Sequence, residues 1–225
     1  MKQIIGQGWP TLKSSRFFHF WLLLCLTGST LAPISPEGLF EDFAEVSLKK
    51  DLSSAGLKHL ALQRQLKNWG IRLPLDFDFA SYVDALIEAE ERFQIAHEVL
   101  FALTIVESGF RVGARSEKGA QGLFQFMPQT AELYWPRLQN RLSNRDPLQG
   151  LDALDGVHSI RGATLLGAYY LSTLQKMFNG NLPYALASYN VGPGAFGKGL
   201  VEGRFLSADY VFRIYHYANQ TNGRI

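Results

Sequence analysis

Between residues 99 and 106 every residue but Thr104 is apolar, and the run ends in Glu107-Ser108-Gly109. A helix that is apolar on all sides has no face to offer water, so it belongs at the centre of a core. The spacing predicts this helix from about Ala96, with Gly109 as its C-terminal cap. Glu107 then falls in the last turn, beside Ile105, Val106 and Phe110. Loss of water disfavours the charged form of a carboxyl and raises its pKa, and the negative end of the helix dipole pushes the same way. A carboxylic acid kept protonated near neutral pH is what proton donation to a glycosidic oxygen requires. A Glu that caps the helix or pairs with a base on the surface is the other reading, and this helix alone does not separate the two.

Helical spacing continues on both sides. From Phe79, Tyr82, Val83, Leu86 and Ile87 share one face, and Glu88, Glu90, Glu91 and Arg92 lie on the other. Upstream, Leu48, Leu52, Leu57, Leu60, Leu62 and Leu66 recur at roughly helical intervals, with Gly56 and the stretch 70–74 as breaks and 71–78 as a linker. Downstream, Pro128 suits a first helical turn, residues 165–178 read as a helix, and another ends at Tyr189-Asn190 before a glycine–proline turn. Few or no strands are expected.

Composition narrows the function classes. The chain has 225 residues, 47% of them hydrophobic and 19% charged, which excludes disorder as its main state. Its net charge of +2 excludes a global polycation for nucleic acid. The single cysteine, Cys25, excludes a disulfide framework, a cysteine zinc site and an iron–sulfur cluster. Charge is unevenly spread: residues 1–36 carry +3, residues 37–100 carry −5 and residues 101–225 carry +4. In the first segment Lys2, Lys13 and Arg16 precede a greasy run at 17–26, and small or polar residues follow. That layout is an export signal, cleaved or retained as an anchor. Ser29 and Ala32 suit cleavage, although Pro33 opposes the latter. Leu22 to Leu24 before Cys25 speak against a lipoprotein. The chain is therefore expected in the periplasm, with 1–36 as signal peptide or inner-membrane anchor, 37–78 as helical extension and linker, and 79–225 as the catalytic domain.

Three separated blocks carry the strongest signal: Glu107-Ser108 followed by Phe110, the run Gly119-Ala-Gln-Gly-Leu-Phe-Gln-Phe-Met-Pro128, and Ala187-Ser-Tyr-Asn-Val-Gly192. In order and spacing they resemble the soluble lytic transglycosylase family, over about residues 79–217. The resemblance implies an all-α, lysozyme-like (goose-type) helical catalytic domain with a small helical N-terminal extension. It implies a peptidoglycan lytic transglycosylase that cleaves between N-acetylmuramic acid and N-acetylglucosamine and leaves a 1,6-anhydro end. Glu107 matches the single acid that then serves as base. Ser116, Gln125, Met127, Tyr189, Asn190 and Tyr210 match substrate-binding positions, with Ser116 near the catalytic carboxylate and Tyr189 and Asn190 beside the acid, able to orient it, while Ser108, Gly122 and Gly192 match structural positions near them. No metal or cofactor is called for. The implied partners are peptidoglycan glycan strands and, as an open role, an envelope-spanning secretion, pilus or conjugation complex. Nucleic acid is not among them, membrane contact is confined to the N-terminal segment, and the chain is expected to be a monomer. Phe124 departs from a commoner Met; it either narrows or stiffens one sugar site or is plain core.

Two other readings stay open. Hydrolysis on the same fold needs a second carboxylate across the cleft, for which Asp146, Asp152 and Asp155 in the stretch 134–159 are the candidates. A non-catalytic wall-binding module would not need Glu107 with all its neighbours intact. A His/Asp metal hydrolase is weaker, because His19, His59, His97, His158 and His216 are scattered without ligand spacing.

Overall fold

The computed structural model describes residues 54–221, which fall in one compact unit spanning Leu52–Ile225. The segment 1–36 expected to direct export, Cys25 within it, and the lead-in at 37–53 lie outside the described residues. The described chain is built from helices: α1 Ser54–Asn68, α2 Phe79–Phe93, α3 His97–Glu107, α4 Pro128–Gln139, α5 Ala153–His158, α6 Ile160–Met177, α7 Leu182–Val191, α8 Pro193–Val201 and α9 Ala208–Thr221, with a 3-10 turn at Pro147–Gly150. Among the described residues the only β pairing is a pair of isolated bridges, Arg115 with Gln121 and Gln121 with Phe126. The all-α expectation holds.

The all-apolar helix is α3, and it is central. Val99 through Thr104 are all buried. It packs beneath α9, while α2 lies along α6 and α6 along α7. Tyr82, Phe101 and Phe110 meet at ring-centroid distances of 5.5–6.4 Å beside α3. The one polar group in its buried stretch, Thr104, accepts a hydrogen bond from the Tyr82 hydroxyl at 2.7 Å and donates to the Leu100 carbonyl. Burial there leaves neither hydroxyl unpaired.

Several boundaries differ from the spacing, each for a tertiary reason. Gly56 does not break a helix but lies inside α1. It sits in the first turns, and Leu62 and Leu66, at 1% and 4% exposure, hold the rest of α1 in the common core. Such packing outweighs a propensity cost of about 1 kcal/mol. The helix read at 165–178 starts at Ile160, because the Ser159 hydroxyl accepts from the Gly162 amide and caps it. Pro193 opens α8 directly, with Gly192 at φ +84 as the hinge. The stretch 134–159 is mostly ordered by α4, the 3-10 turn and α5.

One guanidinium fastens this stretch to the helices. Arg161 donates to both oxygens of Glu88 on α2 and to both oxygens of Asp146, at 2.6–2.8 Å. Glu88 and Glu90 are thus not a solvated polar face. Glu90 pairs with Lys58 of α1 and with His97 of α3. A planar fork serving two carboxylates fixes geometry as well as charge.

The loop between α3 and α4 is held even more tightly. Gly122 has φ +77, and a Cβ there would meet the Val157 carbonyl oxygen of α5 at 2.2 Å. Replacing Gly122 with Ala is expected to destabilise the fold by roughly 2–4 kcal/mol, from left-handed backbone strain and the clash together. Gly194→Ala, in open space on α8, is expected to be neutral or slightly stabilising. Urea midpoints for the two variants check this; equal midpoints would contradict it.

Candidate active site

Glu107 ends α3 at the junction of two pockets. The larger, about 530 Å3, runs from Glu107 past Phe110 and Ala114 to Pro74, Asp76 and Phe77. The smaller, about 390 Å3, runs from Glu107 to Met127, Thr130, Tyr170, Tyr189, Asn190 and Gly192. Glu107, Ser116 and Gln125 line both. The carboxyl therefore keeps a window onto an extended groove, while most of its surroundings are protein.

The chain folds this way because α3 cannot continue. The Gly109 amide donates to the carbonyls of Thr104 and Ile105, and Gly109 and Phe110 both take positive φ, +58 and +66. Phe110 is fully buried, so its burial offsets the cost of that conformation for a residue with a Cβ. The following loop doubles back on itself. Gln121 and Phe126 exchange both backbone hydrogen bonds at 2.9 Å, and the Gly122 amide donates to the Ala114 carbonyl. Gln125 sits at the tip with φ +49, and its side-chain amide donates to the Gly122 carbonyl at 2.9 Å and the Ala114 carbonyl at 3.3 Å.

Burial pushes the Glu107 carboxyl up to about 7, against the lowering effects of the Tyr210 hydrogen bond and the Arg213 charge. The Tyr210 hydroxyl of α9 donates to Glu107 Oε1 at 2.5 Å. Burial, then the Glu107 charge, holds the Tyr189 and Tyr210 hydroxyls well above their ordinary range, so both stay neutral. Tyr170 is also raised by burial, to about 12. A half-protonated acid near neutral pH, flanked by neutral phenols, can give up a proton and take one back.

The structure places the expected residues as follows. Glu107, Ser116, Gln125, Met127, Tyr189, Asn190 and Gly192 converge on the groove. Tyr210 reaches it through Glu107. The Ser116 hydroxyl accepts from the Ala120 amide at 3.0 Å. Met127 is 40% exposed along the smaller pocket. The Tyr189 ring lines that pocket while its hydroxyl donates to the Phe124 carbonyl at 2.9 Å, and Asn190 donates to the Ser207 hydroxyl. Neither of these two is hydrogen-bonded to the acid; Tyr210 is. Ser108 is buried and donates back to the Thr104 carbonyl, bracing the helix end. Gly122 lines neither pocket, and its role is the close approach to Val157. Phe124 does not narrow a sugar site. It is fully buried, with its ring against Gly167, where a Cβ would come within 2.7 Å.

Residue spacing did not point to Tyr170, Asp76, Phe77 or Arg213. Tyr170 reads as one more aromatic of a buried helix, and Asp76 and Phe77 lie in what reads as linker. Two of the three candidates for a second carboxylate are engaged elsewhere. Arg161 holds the Asp146 carboxyl below the usual carboxylate range, and Asp152 caps α5 by accepting from the Asp155 amide. None of Asp146, Asp152 and Asp155 lines either pocket. The carboxylate that shares a pocket with Glu107 is Asp76. One histidine does find acidic neighbours: Glu90, His97 and Glu98 bring ligand-type atoms within 4.8 Å of one another at the α2–α3 junction. Lys58 also contacts Glu90 there, and none of the four lines the groove.

The fold and the groove describe a helical domain built around one buried acid. The family model described as the Transglycosylase SLT domain matches residues 84–208. The chain belongs to this family. Its structure is similar to that of an inactive mutant of the lytic transglycosylase Slt from Pseudomonas aeruginosa, with 28% identity and a TM-score of 0.45 over 64% of this chain and 23% of that one. It is also similar to the 70 kDa soluble lytic transglycosylase from Escherichia coli, with 22% identity and a TM-score of 0.47 over 74% of this chain and 26% of that one. The chain thus spans about a quarter of the length of these two proteins. Among the described residues no helix is long and apolar enough to cross a membrane.

Two outcomes are expected of the acid itself. Replacing Tyr210 with Phe removes a donor to the charged form, so the Glu107 pKa rises above about 7. The descending limb of a pH–activity profile then moves to higher pH, and an unmoved limb would show that Tyr210 does not tune the acid. For stability the sign is opposite to that of a salt-bridged carboxylate. The folded pKa is raised, so folding stability falls as pH rises from about 4.5 through about 7. Glu107→Gln is expected to be more stable than the parent at pH 8, by on the order of 2–3 kcal/mol. That advantage should vanish below pH 4.5, as thermal melts at the two pH values would show.

Proposed function

We propose that this protein is a lytic transglycosylase acting on peptidoglycan glycan strands, with Glu107 as its acid and base. The carrying observation is the Glu107 carboxyl, raised to about 7 by burial and bound by Tyr210, at the junction of two pockets. A glycan strand laid along the groove would place its scissile oxygen beside this carboxyl. Protonated Glu107 gives its proton to the oxygen between N-acetylmuramic acid and N-acetylglucosamine. The bond to C1 breaks, and the leaving sugar departs with a free 4-hydroxyl. The Glu107 carboxylate then takes the proton of the muramic C6 hydroxyl as that oxygen bonds to C1. The ring closes as a 1,6-anhydro product, water is not consumed, and Glu107 ends protonated.

Around that step, Gln125 and Asn190 offer amide groups to N-acetyl and hydroxyl substituents, and Met127 and Tyr170 offer apolar faces to the sugar rings. Tyr210 steadies the carboxylate in the interval when it is charged. The setting we propose is the periplasm, reached through the N-terminal export segment. A passage-opening role for an envelope-spanning machine remains part of this proposal, alongside ordinary wall turnover.

A hydrolytic reading has one observation in its favour, the presence of Asp76 in the larger pocket. Digestion of purified sacculi with mass analysis of the products separates the two. Anhydro ends that persist in Asp76→Asn support the transglycosylase. Reducing ends that disappear in Asp76→Asn support hydrolysis. In both cases Glu107→Gln is expected to lower turnover by at least about a thousandfold, by loss of both proton transfers; unchanged solubilisation would refute a catalytic Glu107.

A further inference from the structure

The proton cycle asks two opposite things of Glu107: it must hold a proton in one step and carry a charge in the next. Burial serves the first and opposes the second. A guanidinium bonded straight to the carboxyl would correct this too far. Glu88 shows the result within this chain: against the raising effect of burial, Arg161 and Arg92 hold its carboxyl below the usual carboxylate range. Glu107 has a different arrangement, in which a neutral phenol touches it and a guanidinium stands behind the phenol. The Tyr210 hydroxyl donates to Glu107 Oε1 at 2.5 Å. The guanidinium carbon of Arg213, one turn further along α9, lies over the Tyr210 ring at 6.0 Å from its centroid.

Arg213 is outside the groove. It is exposed, lines neither of the two pockets that meet at Glu107, and borders a separate concavity of about 660 Å3 along α9. Among the described residues it makes no ion pair, not even with Asp209 one turn before it. It sits in the middle of α9, where a helix dipole does not call for a cation. Its partner is the face of the Tyr210 ring. There its charge works against burial and the Glu107 charge, which together raise the Tyr210 hydroxyl, and a phenol drawn in this direction is a better donor to a carboxylate. The other titratable groups around the acid are Tyr189 of α7, Arg111, Arg115 and Lys118 of the loop after α3, and Asp76 of the turn before α2. All of these but Arg213 border the groove itself, so a bound strand alters their surroundings. Arg213 acts from behind the phenol.

Resting on the catalytic reading above, we propose that Arg213 is a positioning residue for this reaction: from outside the groove it holds the Tyr210 phenol against Glu107 and steadies the carboxylate as it takes the proton of the muramic C6 hydroxyl. It touches no substrate atom. Because the phenol stands between, the cation supports the carboxylate without keeping it permanently ionised, and Glu107 can begin the next turnover protonated. An exposed charge is screened by salt, so this support depends on ionic strength.

The test uses the full chain, soluble glycan strands and pH–activity profiles at two salt concentrations. Arg213→Gln is expected to lower kcat about tenfold with little change in KM. It should also move the descending limb of the profile to higher pH, because a carboxyl that loses a nearby positive charge holds its proton longer. Arg213→Lys keeps the charge and is expected to keep the limb in place. In the parent, raising NaCl from about 0.05 M to about 0.5 M is expected to move the limb upward, and in Arg213→Gln the limb should stay where it is. In a Tyr210→Phe background, Arg213→Gln is expected to lower kcat by less than about twofold more, since the phenol through which it acts is gone. An unchanged kcat and limb in Arg213→Gln, equal losses in the Lys and Gln variants, a salt response shared by the parent and Arg213→Gln, or a full tenfold loss in the Tyr210→Phe background would each overturn the proposal while leaving catalysis in place. A parent limb that ignores salt would overturn it as well, whether or not a variant folds. No turnover by the parent would instead remove the catalytic reading on which the proposal rests.

Discussion

The burial of α3 beneath α9 sets the terms for everything else in this domain. A helix without a wet face must be enclosed, and whatever side chain closes its last turn is enclosed with it. Here that side chain is Glu107. The covering helix brings Tyr210, whose hydroxyl is 2.5 Å from the carboxylate. Desolvation alone would favour the neutral acid further, while the phenol and the Arg213 charge draw the balance back to about 7. The packing that makes the core is thus also the chemistry of the site. No separate apparatus is needed to hold a proton near neutral pH.

Around this centre the loop between α3 and α4 converts a packed core into a groove. It is short of regular structure but not of constraint. Paired backbone hydrogen bonds, a buried Phe110, and Gly122 against the Val157 carbonyl fix its path. Gln125 in a left-handed conformation at its tip faces both pockets. The Arg161 fork holds the far side, tying the loop around Asp146 to α2 and α6. Supports of this kind fix the walls of the groove around Glu107.

The acid and its neighbours were largely legible in the sequence, because they follow from local pattern. The run from Val99 to Val106 marks a buried helix, Glu107 marks its end, and the Gly119–Pro128 and Ala187–Gly192 blocks have a spacing that survives without any structure. What was not legible involves residues that meet only in three dimensions. Arg161 and Glu88 are far apart in the chain, and Glu88 reads as part of a wet face until that guanidinium is seen. Phe124 lies amid groove residues in sequence yet turns into the core, because Gly167 leaves space for its ring. Asp76 and Phe77 read as linker, since nothing in their spacing shows which pocket the linker borders. Gly56 reads as a break because propensity is local and the packing of Leu62 and Leu66 is not.

The placement of Asp76, Phe77 and Tyr210 bears on how such a domain could be moved between proteins. The stretch that matches the family runs from 84 to 208, yet the wall of the larger pocket starts before it and the phenol on the acid comes after it. A fragment trimmed to the matching stretch would keep Glu107 and lose both the group that steadies its charge and one side of its groove. The transferable unit is larger than the recognisable one.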